Sequence, residues 1–388
     1  MESVVLEPND NNEYTVIDLF SGAGGTALGF HRAGFRVVGA LDNNAAAART
    51  YARNMGLVPL LGDIRDIEPA QLLASFKIEP GTVSVLVGCP PCQGFTRMRN
   101  SEGANDPRND LVLRYLEYVS VIRPRCVVFE NVPGIIRQEH GKVFYRKLCK
   151  RLEELGYGFD YESPGEVLNA ADYGVPQLRK RVVLIAGRDG KVVPYPEPTH
   201  ANPNSHAQGF RLRWKTVGDA LSGLPAIESG GKSSEISNHS ARSLGERVLS
   251  FIKRVPKDGG SRRDVPQQYW LECHKKDDCG HADVYGRLAL DLPSVVITSG
   301  CTNVSKGRFV HPTQDRGISF REAARLQSFP DDFIFEGHSD DVARQIGNAV
   351  PPLLAQAIAD AIKQWLDGET AQPIPALDSF SQFSYQTA

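Results

Sequence analysis

Short apolar runs and helical patterns alternate along the first half of the chain, and this rhythm restricts the fold more than any other feature. Tyr14–Leu19 reads as a strand, Thr26–Ala33 as a helix closed by Gly34, and Phe35–Leu41 as a second strand. Ala45–Asn54 reads as a helix, Val58–Leu61 as a short strand, Val83–Val87 as a strand and Asp110–Ile122 as a helix. Cys126–Phe129, Val143–Leu155 and Arg181–Ala186 continue as strand, helix and strand. Strands alternating with helices indicate parallel pairing, because each parallel connection needs a crossover of helix length. The expectation is an α/β fold with a doubly wound, mostly parallel, Rossmann-like sheet, binding ligands at the carboxyl ends of its strands.

The first strand runs into Phe20-Ser21-Gly22-Ala23-Gly24-Gly25-Thr26-Ala27. Gly22, Gly24 and Ala27 fit G-x-G-x-x-[G/A] between strand and helix, and Asp42 lies twenty residues beyond Gly22. Such glycines let a ligand approach the helix N-terminus, and an acid after the second strand accepts two ribose hydroxyls. The pattern marks a nucleoside-containing cofactor without choosing between NAD, FAD and S-adenosylmethionine. A Gly-rich turn that only packs strand on helix is the plainer alternative, and the placement of Asp42 weighs against it.

The strand Val83–Val87 leads into Gly88-Cys89-Pro90-Pro91-Cys92-Gln93-Gly94-Phe95-Thr96. The prolines fix the backbone before Cys92 and the glycine frees it afterwards, so a thiol is placed at the sheet's carboxyl edge. Cys89 and Cys92 form a Cys-x-x-Cys pair, which suits a redox couple or half a zinc site. A zinc site needs two more ligands, and none is near in sequence. A redox pair should open into a helix, whereas Gln93–Asp110 is polar and rich in Gly, Asn and Arg. A packed cysteine explains Cys89 better than Cys92. Taken alone, the stretch leaves a nucleophile and a redox cysteine equally open.

Net charge is −2, so any nucleic-acid surface must be local. Seven cysteines in irregular spacing give no disulfide framework and fit a reducing compartment. Residues 1–13 carry four acids and no base and have no apolar core, as expected of a disordered start rather than a signal peptide. No run approaches the 18 apolar residues of a membrane span. After Arg188 the composition turns to Pro, Gly, Ser, Asn and His. Residues 201–275 hold twelve Lys and Arg against seven Asp and Glu, the signature of a smaller, irregular, basic domain. Ser319–Gln327 begins with a capping-box pattern, Ser319 and Glu322. A last helix starts at Pro351-Pro352, with Leu354, Ile358, Ile362 and Trp365 at helical spacing.

These stretches together resemble the DNA (cytosine-5)-methyltransferase family. Asp18–Gly25 resembles its cofactor loop, Gly88–Thr96 its Pro-Cys-Gln loop, Glu130-Asn131-Val132 its Glu-Asn-Val, and Gln177–Arg181 its Gln-x-Arg-x-Arg. Arg321–Pro330 and Gln345–Pro352 resemble its last two motifs. The order matches the family's over residues 14–366. The resemblance implies a class I S-adenosylmethionine-dependent catalytic domain at 14–188, a target-recognition domain at 189–315, a return to the catalytic domain at 316–366, and a loose tail at 367–388.

It also implies roles. Cytosine C5 is a poor nucleophile until a thiolate adds to C6, which is the task of Cys92. Glu130 would interact with N3 in protonated form, Arg181 would stabilise charge at O2, and Arg179 would support the site. S-adenosyl-L-methionine would meet Phe20, the run Ser21, Gly22, Ala23, Gly24 and Gly25, then Asp42 on the ribose. Asp63 would lie near the adenine amino group, with Pro90, Asn348 and Val350 closing the site. The family commonly has Glu where this chain has Asp42. The target base must leave its duplex. Gln93, Arg97, Arg99 and Arg108 would close over the double-stranded DNA, and Arg262 and Arg263 would meet phosphates, helped by Lys253 and Arg254 upstream.

Other readings are weaker. Amino-group DNA methyltransferases carry an aromatic after Pro-Pro, where Cys92 stands. Relatives acting on tRNA carry Cys-Phe-Thr, where this chain has Gly300-Cys301-Thr302. A non-catalytic DNA-binding module would not need Cys92, Glu130 and Arg181 together. Cys273, His274, Cys279 and His281 crowd into nine residues, too close for two separated zinc-ligand pairs. The chain is expected to act as a cytoplasmic monomer on DNA, with no membrane and no metal, and with a cognate restriction endonuclease as a companion that forms no stable complex with it.

Overall fold

The computed structural model describes residues 14–91, 110–205, 209–275 and 283–368. Its first half is a series of β/α units: β1 (Thr15–Leu19), α1 (Gly25–Arg32), β2 (Arg36–Asp42), α2 (Ala45–Met55), β3 (Leu60–Leu61), α3 (Pro69–Phe76), β4 (Val85–Gly88), α4 (Asp110–Ile122) and β5 (Cys126–Asn131). Then come α5 (Gly134–Arg137), α6 (Glu139–Glu154), β6 (Tyr157–Gly158), β7 (Glu166–Asn169) and β8 (Lys180–Arg188). The sheet runs β3-β2-β1-β4-β5-β8-β6, with β7 also paired to β8.

The central strands are buried on both faces, which is why they read as continuous apolar runs. Ile17, Leu19, Leu86, Val127 and Phe129 point into a core closed by α3, α4 and α6. Val16, Val85, Val87, Cys126 and Val128 point into the opposite core. That second core is closed by Phe30 of α1 and by Leu354, Ile358, Ile362 and Trp365. Each fully buried aliphatic side chain contributes about 1.5–3 kcal/mol.

The pairs from β3 through β5 are parallel. β8 is antiparallel to β5, with Asn131 opposite Val182 and Glu130 opposite Val183. This reversal brings the start of β8 beside the carboxyl end of β5, so Arg179 and Arg181 arrive at the same sheet edge as Glu130.

Beyond β8 lie β9 (His200–Ala201), β10 (Leu212–Arg213), α7 (Val217–Leu221) and α8 (Glu246–Ile252). Phe251, Ile252, Val255, Val265, Leu271, Tyr285, Val304 and Val310 form a small core of their own. Val217, Leu288, Ile297, Cys301 and Phe309 instead share a core with Ala23, Ala27 and Tyr51 of the cofactor end. Regular helix returns in α9 (Phe320–Leu326), α10 (Ser339–Asn348) and α11 (Pro352–Gly368). The Ser319 hydroxyl accepts from Glu322 N at 3.0 Å and Glu322 Oε2 accepts from Ser319 N at 2.7 Å, the reciprocal cap expected there. Among the described residues no helix is long and apolar enough to cross a membrane.

Candidate active site

At the end of β1 the backbone turns left-handed three times, with φ of 58° at Phe20, 53° at Gly22 and 96° at Gly24. Only glycine adopts such angles without strain. Gly24 caps α1, so the helix opens directly on the loop. Gly25 is required for a different reason: a Cβ there would stand 2.4 Å from the Val350 carbonyl oxygen. Segment 347–350 therefore lies directly against the loop, with Val350 buried and Asn348 exposed at the end of α10.

Asp42 ends β2 beside this loop. Its Oδ2 accepts from Gly22 N and its Oδ1 from Asn44 N, each at 2.8 Å. Burial raises its pKa, opposed by backbone donors at Asn44, Gly22 and Asn43. A carboxylate has about four acceptor positions, so lone pairs remain for ribose hydroxyls. Asp63 follows β3, where Gly62 N donates to Asp42 O at 3.0 Å. Its carboxylate holds Arg65 through both oxygens, at 2.9 and 2.6 Å, which draws its pKa down to about 2.

Beneath the loop, Ser21 Oγ and Tyr51 OH are buried with no hydrogen-bond partner among the described residues, and the buried Asp18 carboxyl faces the Ala27 backbone without a well-formed hydrogen bond. Burial and the neighbouring Asp42 push Asp18 up to about 8. Buried polar groups are ordinarily partnered. Acceptors short of partners beside a helix N-terminus, next to the Asp42 carboxylate, fit a nucleoside carrying an amino-acid tail. S-adenosylmethionine has that composition, with an ammonium group for acceptors and a carboxylate for the α1 N-terminus.

The other half of the site lies along the same edge. Arg181 Nε stands 2.9 Å from Glu130 Oε1, and both side chains are nearly buried. Burial raises the Glu130 pKa, opposed by Arg181 and then Arg179. Arg179 is a brace: its guanidinium donates to Ile297 O at 3.0 Å, Gly347 O at 3.1 Å and Ala349 O at 3.0 Å. Asn131 Nδ2 donates to Pro90 O at 3.2 Å, which fastens the Pro90-Pro91 turn to the Glu130 strand. Cys89 is half-buried, with Thr26 Oγ1 at 4.0 Å from its Sγ. Desolvation, then Glu130 and Asp18, push its thiol far up, so Cys89 remains protonated. Cys301 is fully buried and pushed up to about 12 by burial. Cys92, Gln93, Arg97, Arg99 and Arg108 lie outside the described residues.

Two glutamines were not foreseen as part of this assembly. Gln177 Nε2 donates to Gln327 Oε1 at 2.8 Å and Leu326 O at 3.1 Å, while Gln177 Oε1 accepts from Ile297 N at 2.9 Å. Gln327 Nε2 donates to Ile346 O at 2.6 Å. Together they tie the arginine strand, α9 and the segment that closes the cofactor loop. The available signal was their place inside the Gln-x-Arg-x-Arg and Arg-Leu-Gln-Ser-Phe-Pro motifs.

The expectation for Arg262 is revised. Its side chain is only 5% exposed, in a 3-10 turn capped by Ser261, so it does not reach out to a phosphate. Arg263 on the same turn is exposed. His274 is also a core group, with ring centroids 5.0 Å from Phe251 and 4.9 Å from Tyr285. Cys273 is exposed, and Cys279 and His281 lie outside the described residues. Among the described residues there is no His, Cys, Asp and Glu cluster able to hold a metal ion.

The sheet and its loaded edge define a class I S-adenosylmethionine-dependent methyltransferase. A family model described as C-5 cytosine-specific DNA methylase matches residues 14–364, and the chain belongs to that family. It is 39% identical over 352 residues to the type II methyltransferase M1.HphI of Haemophilus parahaemolyticus, covering 90% of this chain and 86% of that one. It is 36% identical over 361 residues to the type II methylase M.HgiDII of Herpetosiphon aurantiacus, covering 91% and 96%. A solved chain encoded within an E. coli prophage superimposes with a TM-score of 0.68 at 25% identity, covering 91% and 99%. The chain is thus a DNA (cytosine-5)-methyltransferase, and the family reaction runs through a covalent adduct between a cysteine and cytosine C6.

Proposed function

We propose that the chain is a sequence-specific modification methylase in which Cys92 is the nucleophile, Glu130 the N3 proton donor and Arg181 the O2 stabiliser. The Glu130–Arg181 pair at 2.9 Å carries this assignment, because it sets an acid with a raised pKa beside a fixed cation at the sheet's carboxyl edge. The Cys92 thiolate adds to C6 of a flipped cytosine, and the displaced electron pair is taken up at N3 with the Glu130 proton. Arg181 holds the O2 side, where negative charge gathers. C5 becomes the nucleophilic carbon of an enamine. When bound, S-adenosylmethionine supplies an electrophilic methyl group for that carbon. Loss of the C5 proton to a base then expels Cys92, and the proton on N3 returns to Glu130.

Phe20 to Gly25, Asp42, Asp63, Pro90, Asn348 and Val350 make up the cofactor side of this proposal. The partner is double-stranded DNA. A monomer in the bacterial cytoplasm, working beside a restriction endonuclease of the same specificity without a stable complex, completes the proposed role. Bisulfite sequencing of plasmid DNA treated with protein and S-adenosylmethionine tests it. Full protection of one cytosine within one short recurring sequence is expected. Protected cytosines scattered without a shared sequence would contradict site-specific modification.

A further inference from the structure

We infer that the β9–β10 ribbon forms a second contact with duplex DNA, flanking the target base on the β8 side of the pocket. This rests on the DNA-methylation reading and extends it to a surface outside the catalytic pocket. The strand register sets the ribbon's place. Asn169 of β7 lies opposite Lys180 of β8, one residue from Arg181, so the chain leaves β7 at the catalytic edge. The following 3-10 turn, Ala170–Tyr173, holds the ribbon: Thr199 N donates to Asp172 O at 3.0 Å, and Trp214 Nε1 donates to Asp172 Oδ1 at 2.8 Å. The two short strands pair in parallel, Leu212 with His200 and Arg213 with Ala201.

The charge on this ribbon is unbalanced. Arg211, Lys215 and Lys180 are exposed, and their side chains have no hydrogen bond or ion pair among the described residues. Arg211 and Lys180 both act on Asp172, and Lys215 acts on the adjoining His200, whose own pKa burial lowers, so the three cations Arg211, Lys180 and Lys215 gather around one turn. Two of the acids beside it are already engaged. Asp172 is held by Trp214, and Asp219 takes Arg213 through both oxygens at 2.9 Å. Glu166 and Glu197 act on Tyr173 together with Arg211, so these two acids border the patch on its Tyr173 side. Phe210, beside Arg211, is wholly exposed at 110% of its reference area. A cationic patch beside the sheet edge that carries Arg181 and Glu130 suits a polymer bearing a phosphate charge about every 1.7 Å. Arg211 and Lys215 therefore contact phosphates, and Phe210 lies on a sugar or groove edge next to them.

The test measures DNA affinity across a salt series with the full chain, using the site mapped by bisulfite sequencing. One duplex extends beyond a helical turn on each side of the target, and one ends close to it. Arg211→Ala/Lys215→Ala is expected to lower the log–log salt slope on the long duplex by about two units, one per lost phosphate contact. It should change little on the short duplex and nothing in methyl-donor binding. Phe210→Ala should weaken binding several-fold with the slope unchanged. A double variant with wild-type slope and affinity on the long duplex overturns the proposal while leaving the methylation reading intact. A wild-type chain that binds neither duplex overturns both.

Discussion

Arg181 Nε and Glu130 Oε1 meet at 2.9 Å only because β8 runs antiparallel to β5. A parallel β8 would carry Arg181 to the opposite end of the sheet. Glu130 is thus held raised by burial and restrained by two guanidinium groups, Arg181 first and then Arg179, opposed pulls that suit an acid which must lend and recover a proton.

Glu130→Gln is expected to slow single-turnover methyl transfer by at least about tenfold, the scale of losing a proton-transfer group. Arg181→Ala should also slow it, and should move the alkaline limb of the rate–pH profile upward. The sign follows from the active form: removing the cation raises the Glu130 pKa further, so its proton persists to higher pH. A Glu130→Gln enzyme with the wild-type rate would remove the residue from the reaction.

Asp18 predicts a pH-dependent stability in the ligand-free protein. Its pKa rises from 3.8 to about 8 on folding, so between those values the native state holds a proton that the unfolded state has lost. Its contribution to stability therefore declines as pH rises through that window. Asp18→Asn should remove this slope and exceed the wild type at pH 8 by at least about 1 kcal/mol, less than one pKa unit of linkage. Urea denaturation at pH 5 and pH 8 reads it. Equal slopes in both proteins would refute the assignment.

Gly25→Ala sets a methyl group against the Val350 carbonyl and forces segment 347–350 off the loop. Donor affinity, read by calorimetry, should fall at least about tenfold, with overpacking costing about 1–3 kcal/mol of stability. Unchanged affinity would separate segment 347–350 from the cofactor site.

Much of this was legible because it is periodic or local. Both-face burial made β1, β4 and β5 continuous apolar runs, and the Ser319–Glu322 cap announced α9. β7 and the reversal of β8 were not legible, since strand direction leaves no mark on composition. Nor were the buried cations. Arg287, Arg316 and Arg321 are fully buried, and sequence rules place arginine at the surface. Arg287 is satisfied by the carbonyls of Val255, His311, Gln314 and Ile252, and Arg316 by Glu322 at 2.7 and 2.8 Å. Arg287 thereby ties in Ile252, 35 residues away, and Arg316 also donates to Ile227 O, 89 residues away. The same holds for Gln177 with Gln327, and the burial of Arg262 defeated an expectation based on charge alone.

The most direct test of the central claim is covalent trapping on a duplex with 5-fluorocytosine at the mapped target, in the presence of S-adenosylmethionine. Fluorine does not leave C5 as a proton does, so the cysteine adduct persists. A denaturation-resistant complex is expected from the wild type and from Cys89→Ser, because the native Cys89 thiol stays protonated and is no nucleophile, and none from Cys92→Ser. Absence of the complex with wild type on a confirmed target, or equal loss from both cysteine substitutions, would contradict the account.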